Sequence, residues 1–290
     1  MIGKQYNVNT VSAISSLHAV LKPFRDQNKK LGFVPTMGSL HEGHLSLIRK
    51  AKDDCDVVAV SIFVNPTQFA PNEDFTRYPR DIERDTRLAG SAGCDVLFIP
   101  AVEEIYPKDF SSFIEVEGLS SVLEGKFRPT HYKGVCTIVN KLFNIVQPDT
   151  AYFGQKDAQQ CLVIKKMVRD LNMPVHIEIT PTVREADGLA MSSRNVYLNE
   201  DERPRASVLF QALKFAEEKI KNGERNVNRI LDEMTTMIQS KNPTQIDYIT
   251  AADSENLQPR QLLEKGETVL FLLAVRFGTT RLIDNSIVTV

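Results

Sequence analysis

Apolar residues recur along this chain at two spacings, and the way they alternate predicts its elements. Short, nearly continuous apolar runs mark buried strands at 31–35 (Leu31-Gly32-Phe33-Val34), 56–65 (Asp56-Val57-Val58-Ala59-Val60-Ser61-Ile62-Phe63-Val64-Asn65), 96–100 and 151–154. A fifth run, 175–179, alternates, as expected of a strand with one polar face or at a sheet edge. Between the runs, apolar positions fall three and four apart. They predict helices over 8–29, 44–53 and 131–146; a polar helix over 80–92, closed by Gly93, and a helix over 157–171 are also expected. Strand, helix, strand in this order makes parallel βαβ units with right-handed crossovers. The stretch 101–130 is less regular. It reads as a short helix and turn at 103–107, a short strand at 113–116, and a loop at 123–129 with an exposed Arg128.

The pattern changes near residue 185. Two charged amphipathic helices, 200–221 and 226–240, precede strands at 245–249, 268–275 and 280–284. Gly278 lies between the last two strands and argues for antiparallel pairing. The fold class expected is α/β, with a parallel-sheet domain over 1–184 and a smaller α+β domain over 185–290. At 290 residues the chain is long enough for both.

Composition narrows the function classes. Apolar content of 42% and charged content of 25% are ordinary for a globular protein. A formal net charge of -2 gives no field to draw in nucleic acid or an anionic membrane, so neither partner is expected. No apolar run approaches the length of a membrane span, and Met1-Ile2-Gly3-Lys4-Gln5-Tyr6 lacks a signal-peptide core, which points to the cytoplasm. Cys55, Cys94, Cys136 and Cys161 lie in apolar surroundings without Cys-x-x-Cys spacing, and read as buried free thiols.

The candidate chemistry lies at the carboxyl ends of the strands, where open α/β sheets bind ligands. Pro35-Thr36-Met37-Gly38-Ser39-Leu40-His41-Glu42-Gly43-His44 joins the first of these strands to a helix. Its glycines let backbone approach a ligand, and the helix N-terminus and two imidazoles favour an anion such as phosphate. A zinc site of the His-Glu-x-x-His kind has the wrong register, because Leu45 stands four residues after His41. Two solvated or core-satisfied cap histidines are the plainer alternative. Gln68, in the turn after the next strand, is a candidate contact. Gly154-Gln155-Lys156-Asp157 repeats the logic of strand end, cation and helix start. In the long polar segment 181–195, Ser192, Ser193 and Arg194 offer a phosphate clamp. Donors of this kind suit phosphoryl or nucleotidyl transfer, where positioning and charge stabilisation do most of the work.

Taken together and in order, several motifs resemble the pantothenate synthetase (pantoate–β-alanine ligase) family of the HIGH-type nucleotidyltransferase superfamily. They are Pro35 to His44, Phe63-Val64-Asn65-Pro66-Thr67-Gln68-Phe69, Tyr78-Pro79-Arg80, Arg128 to Val135, Phe153 to Asp157 with Gln159-Gln160, and Asp187 to Asn195. The resemblance implies a Rossmann-like catalytic domain and a smaller C-terminal domain acting as a lid. It implies a cytoplasmic homodimer that uses ATP and Mg2+ to join (R)-pantoate to β-alanine through a pantoyl adenylate, releasing AMP and pyrophosphate. By the same resemblance, Met37, Gly38, Ser39, Leu40, His41, Glu42, Gly43 and His44 line the ATP site, with His44 the proton donor. Gly154, Gln155, Lys156, Asp157, Val183, Met191, Ser192, Ser193 and Arg194 also hold ATP, and His41, Lys156 and Arg194 share the catalytic role. Gln68 holds pantoate and β-alanine, Gln160 holds pantoate, Arg128 joins the substrate-binding set, and Mg2+ is carried mainly by the ATP phosphates. The family usually has Glu where this chain has Gln155, and often Met where it has Thr67. An adenylyltransferase that keeps AMP on its product, or a silent nucleotide-binding module, is the alternative reading.

Overall fold

The computed structural model describes residues 8–70, 73 and 75–290. The stretch Met1–Tyr6, and Asn72 and Asp74 of the segment leading into Tyr78, lie outside the described residues. The chain divides into two compact units, one of residues 1–154 with 159–181, the other of residues 155–158 with 182–290. The change of unit falls at 181/182, against an expected 184/185, and the short segment Gln155–Ala158 groups with the second unit.

The first unit is built on six parallel strands in the order β1-β4-β3-β2-β5-β6. They are β1 (Asn9–Val11), β2 (Leu31–Thr36), β3 (Val57–Ile62), β4 (Val96–Phe98), β5 (Thr150–Gly154) and β6 (His176–Thr180). Helices α1 (Ile14–Asp26), α2 (Glu42–Asp54), α3 (Ile82–Ala92), α4 (Val102–Ile105), α5 (Glu124–Phe127), α6 (His131–Val146) and α7 (Ala158–Asp170) connect them. β2, at the centre, pairs with both β3 and β5, so the order of connection reverses beside it. That reversal is the topological switch point of a doubly wound sheet. The core follows from the patterns: β3 is buried at every position, and Leu45, Leu47, Ile48 and Ala51 of α2 pack with Val34, Val58, Val60 and Leu97.

Three expectations change here. The helix expected over 8–29 begins only at Ile14, because Asn9–Val11 pairs in parallel with Val96–Phe98 as a sixth strand. The strand expected at 113–116 does not form; the Ile114 N–H donates to Thr137 Oγ1 on α6 instead. The loop at 123–129 holds the short helix α5, and Arg128 beyond it is only 16% exposed at its side chain.

The second unit is an antiparallel meander of β7 (Gln245–Asp253), β8 (Thr268–Phe277) and β9 (Thr280–Thr289), with helices α8 (Glu202–Ala206), α9 (Val208–Lys221) and α10 (Val227–Gln239). Val269, Phe271, Leu273, Val275 and Phe277 alternate along β8 and share a core with Leu213 and Ile220 of α9 and Ile230, Met234 and Ile238 of α10. The single helix expected over 200–221 breaks at Ser207, whose Oγ donates to the Pro204 carbonyl at 2.9 Å. β9 runs five residues past the expected end at Asp284.

Candidate active site

β2 ends at the switch point, and the loop after it is held from below. Thr36 Oγ1 donates to the Ser61 carbonyl at 2.7 Å and accepts the Gly38 N–H at 3.2 Å. Gly38 sits at φ +81, where a side chain is strained. A Cβ there would also lie 3.0 Å from both Asp85 Oδ2 and Ile62 Cγ2. Asp85 of α3, fully buried, accepts the Ser39 N–H at 2.7 Å and the Leu40 N–H at 2.8 Å, one on each carboxylate oxygen. Arg84 Nη1 donates to the Leu40 carbonyl at 3.0 Å. Nothing in the sequence distinguishes Asp85 from its exposed neighbours in a polar helix.

The two histidines cap α2 reciprocally. His41 Nδ1 accepts the Gly43 N–H at 3.2 Å, and His44 Nδ1 accepts the His41 N–H at 3.3 Å. Backbone N–H groups only donate, so both Nδ1 atoms are acceptors and each neutral ring carries its proton on Nε2. The rings lie 4.1 Å apart, centroid to centroid, and both are half-buried. The cap therefore sets the tautomer that can donate to an anion at the helix N-terminus.

The turn after β3 is equally built. Asn65, 1% exposed, donates from Nδ2 to Gln68 Oε1 at 3.1 Å and to the Gly134 carbonyl at 3.2 Å. Its Oδ1 accepts from Tyr106 at 2.9 Å and from Thr67 Oγ1 at 3.0 Å, so the hydroxyl at 67 joins a network that a methionine could not. Gln68 is thus positioned with its amide nitrogen 3.0 Å from the Met37 sulfur, a weak acceptor. Its backbone carbonyl accepts from His131 Nδ1 at 3.0 Å. Gln159 is a supporting residue: its amide, 2% exposed, bonds the Glu124 N–H and the Leu119 and Val122 carbonyls. Its neighbour Gln160 is half-buried.

Arg128 does not project as a solvated loop arginine. Its Nε and Nη2 each donate to Glu73 at 2.6 Å, a bidentate pair, and its Nη1 faces His131 Nε2 at 3.2 Å. Burial pushes Glu73 up, but the guanidinium outweighs it and leaves the carboxyl below its ordinary value. Burial first, and the Arg128 charge second, lower His131 to about 4. Below pH 6.5 the unfolded imidazole takes a proton that the folded one refuses, so stability is lost as pH falls from 6.5 towards 4. The full loss is about 3 kcal/mol, of which about 2 falls between pH 7 and pH 5. Urea unfolding at the two pH values should show it, and His131→Asn should flatten the dependence; an equally steep loss in the variant would remove His131 as its cause.

In the second unit, the turn Gln155–Asp157 places Lys156, 21% exposed at its side chain, 3.7 Å from Asp157 Oδ1. The segment after β6 is ordered by a narrow hairpin: Arg184 bridges Ala190, and the Glu185 N–H donates to the Leu189 carbonyl at 2.8 Å. At its tip Gly188, φ +92, lies where a Cβ would be 2.0 Å from the Phe210 ring. The Met191 N–H donates to the Val183 carbonyl at 3.0 Å, and Ser192 Oγ caps the turn Ser193–Tyr197 by accepting the Arg194 N–H at 3.2 Å. Arg203 ties Glu185 and Asp187 at 2.6 Å each.

All four cysteines are buried free thiols. Burial pushes Cys94 and Cys136 up to about 12, which makes them poor nucleophiles. Among the described residues, no group of three His, Cys, Asp or Glu side chains is placed to hold a metal ion, and no helix is long and apolar enough to cross a membrane.

A parallel sheet with donors gathered at its switch point defines a nucleotide-using α/β enzyme. The family model Pantoate-beta-alanine ligase matches residues 9–287, and the chain belongs to that family. The chain is 52% identical to the pantothenate synthetase of Pelotomaculum thermopropionicum over 95% of this chain and 97% of that one. It is 53% identical to that of Acetivibrio thermocellus, over 98% and 100%. A crystal structure of the Thermus thermophilus pantothenate synthetase superposes with a TM-score of 0.91 at 45% identity, covering 96% of this chain and 99% of that one. A Francisella tularensis pantoate–β-alanine ligase complexed with β-γ ATP and β-alanine superposes at 0.80 with 37% identity, over 96% and 97%.

Proposed function

We propose that this enzyme condenses (R)-pantoate with β-alanine in two steps, in the cytoplasm and as a homodimer. The pantoate carboxylate attacks the α-phosphorus of ATP and pyrophosphate leaves. The neutral amine of β-alanine then attacks the carbonyl of the pantoyl adenylate, forming the amide and releasing AMP. The observation that carries the reading is the reciprocal histidine cap at the switch point, because it fixes two Nε2 donors beside a helix N-terminus. His41 and His44 stabilise charge on the phosphate as the first bond forms, and His44 is the proton donor. The backbone of Met37 to His44 follows the nucleotide. Gln68 and Gln160 hold pantoate, Gln68 also β-alanine, and Arg128 acts from its pair with Glu73. In the second unit, Lys156 and Arg194 offset the triphosphate charge. Gly154, Gln155, Asp157, Val183, Met191, Ser192 and Ser193 complete the nucleotide-binding set.

The side-chain donors proposed for the nucleotide, His41, His44, Lys156 and Arg194, suit a triphosphate, and the carboxylates of the set are paired with cations, Glu42 with Arg49 and Asp157 with Lys156. Mg2+ therefore belongs to the ATP phosphates, where it neutralises charge.

The test is product release from the purified protein with MgATP. AMP should accumulate only when pantoate and β-alanine are both present, and pantoate alone should give one equivalent of pyrophosphate in a single turnover. AMP retained on the product would make the chain an adenylyltransferase. ATP bound without either product would make it a nucleotide-binding module.

A further inference from the structure

We infer that Asn285 of β9 is a positioning residue for the nucleotide-binding turn Gln155–Asp157. This rests on the proposed role of Lys156 and adds what holds that lysine's backbone in place. Asn285 is 3% exposed, and its Nδ2 donates to the Gln155 and Lys156 carbonyls, each at 2.9 Å. Two carbonyl oxygens can only accept, so the partners themselves fix which end of the amide is the NH2. The other end, Oδ1, receives the Gln155 amide at 3.4 Å, a hydrogen that a carboxylate at 155 would not supply. A three-residue 3-10 turn closes few hydrogen bonds of its own, so an outside donor to two successive carbonyls decides where Lys156 starts from.

The residue before it plays the same part for the other nucleotide-binding segment. Asp284, 1% exposed at its side chain, holds Arg184 bidentately at 2.6 and 3.0 Å. Arg184 Nη1 also donates to the Gly188 carbonyl at 3.1 Å, at the tip of the hairpin that leads to Met191–Arg194. Two successive buried polar residues of one strand thus anchor the segments bearing Lys156 and Arg194. Groups fixed before the ligand arrives lose less freedom on binding it, and small misplacements at a reacting phosphate are costly in rate.

The test uses the whole protein with Asn285→Ala, which removes both donors, and Asn285→Ser, which keeps one. The dissociation constant of MgATP, by calorimetry, should rise about tenfold for Ala and less for Ser. Amide exchange should quicken over Gln155–Ala158 and not in β8, and the KM for β-alanine should stay within about twofold. Folded variants with wild-type ATP affinity and unchanged exchange at 155–158 would overturn the assignment, as would equal losses for ATP and β-alanine. If Asn285→Ala does not fold, the Ser variant carries the same comparison. Failure of the underlying reading looks different: Lys156→Ala would then bind MgATP as tightly as the wild type.

Discussion

His44→Ala should slow single-turnover pyrophosphate release by about 100-fold while the protein stays folded, as expected for loss of one preorganised donor to a developing charge. Two of the losses can be told apart. One is the Nε2 donor, whose place on the ring follows from Nδ1 accepting the His41 N–H. The other is that cap bond, which contributes about 1 kcal/mol of stability. His44→Asn distinguishes them. Its short amide can still accept the His41 N–H but does not reach as far as an imidazole Nε2, so it should melt near the wild type and react as slowly as the alanine variant. Pyrophosphate release at the wild-type rate from a folded His44→Ala protein would remove the catalytic role. Recovery of rate in His44→Asn would show that the histidine serves the loop's shape alone.

The legible part of this molecule was local. β2, its loop and α2 can be read from one apolar run, two glycines and a helical repeat, because strand, turn and cap each depend on residues close in sequence. The same holds for Gly93, which closes α3 in the left-handed conformation. Pairings over long separations were not legible. Three residues, Asn9–Val11, carry too short a pattern to show a strand, and Val11 also fits a helical repeat; only the partner β4 decides. Arg128 looked solvated because its carboxylate, Glu73, lies 55 residues earlier. The polar pair Asp284-Asn285 reads as the end of a strand, yet both residues are buried and the strand continues to Thr289. The strongest case is Asp85, whose partners lie 45 and 46 residues before it.

Asp85→Ala should therefore have the largest effect on stability, about 4 kcal/mol, because it leaves two inward-facing N–H donors without their acceptor and opens a void. Ser39 and Leu40 would lose their anchor at 2.7 and 2.8 Å, and Ser39 holds a φ of 51, a conformation that costs energy unless its surroundings impose it. Without the carboxylate the segment Gly38–Leu40 should relax, and the histidine cap that follows it should lose its place. Activity should fall with it, in both KM for ATP and pyrophosphate release, even at temperatures where the variant is folded. Asp85→Asn keeps one carbonyl acceptor and turns the other oxygen into a donor facing an N–H. It should recover part of the stability and little of the rate, since one of the two backbone bonds becomes a repulsion. Denaturant unfolding and ATP kinetics on the two variants check this. If Asp85→Ala unfolds at the wild-type midpoint, or if Asp85→Asn reacts at full rate, the carboxylate is not what holds the loop.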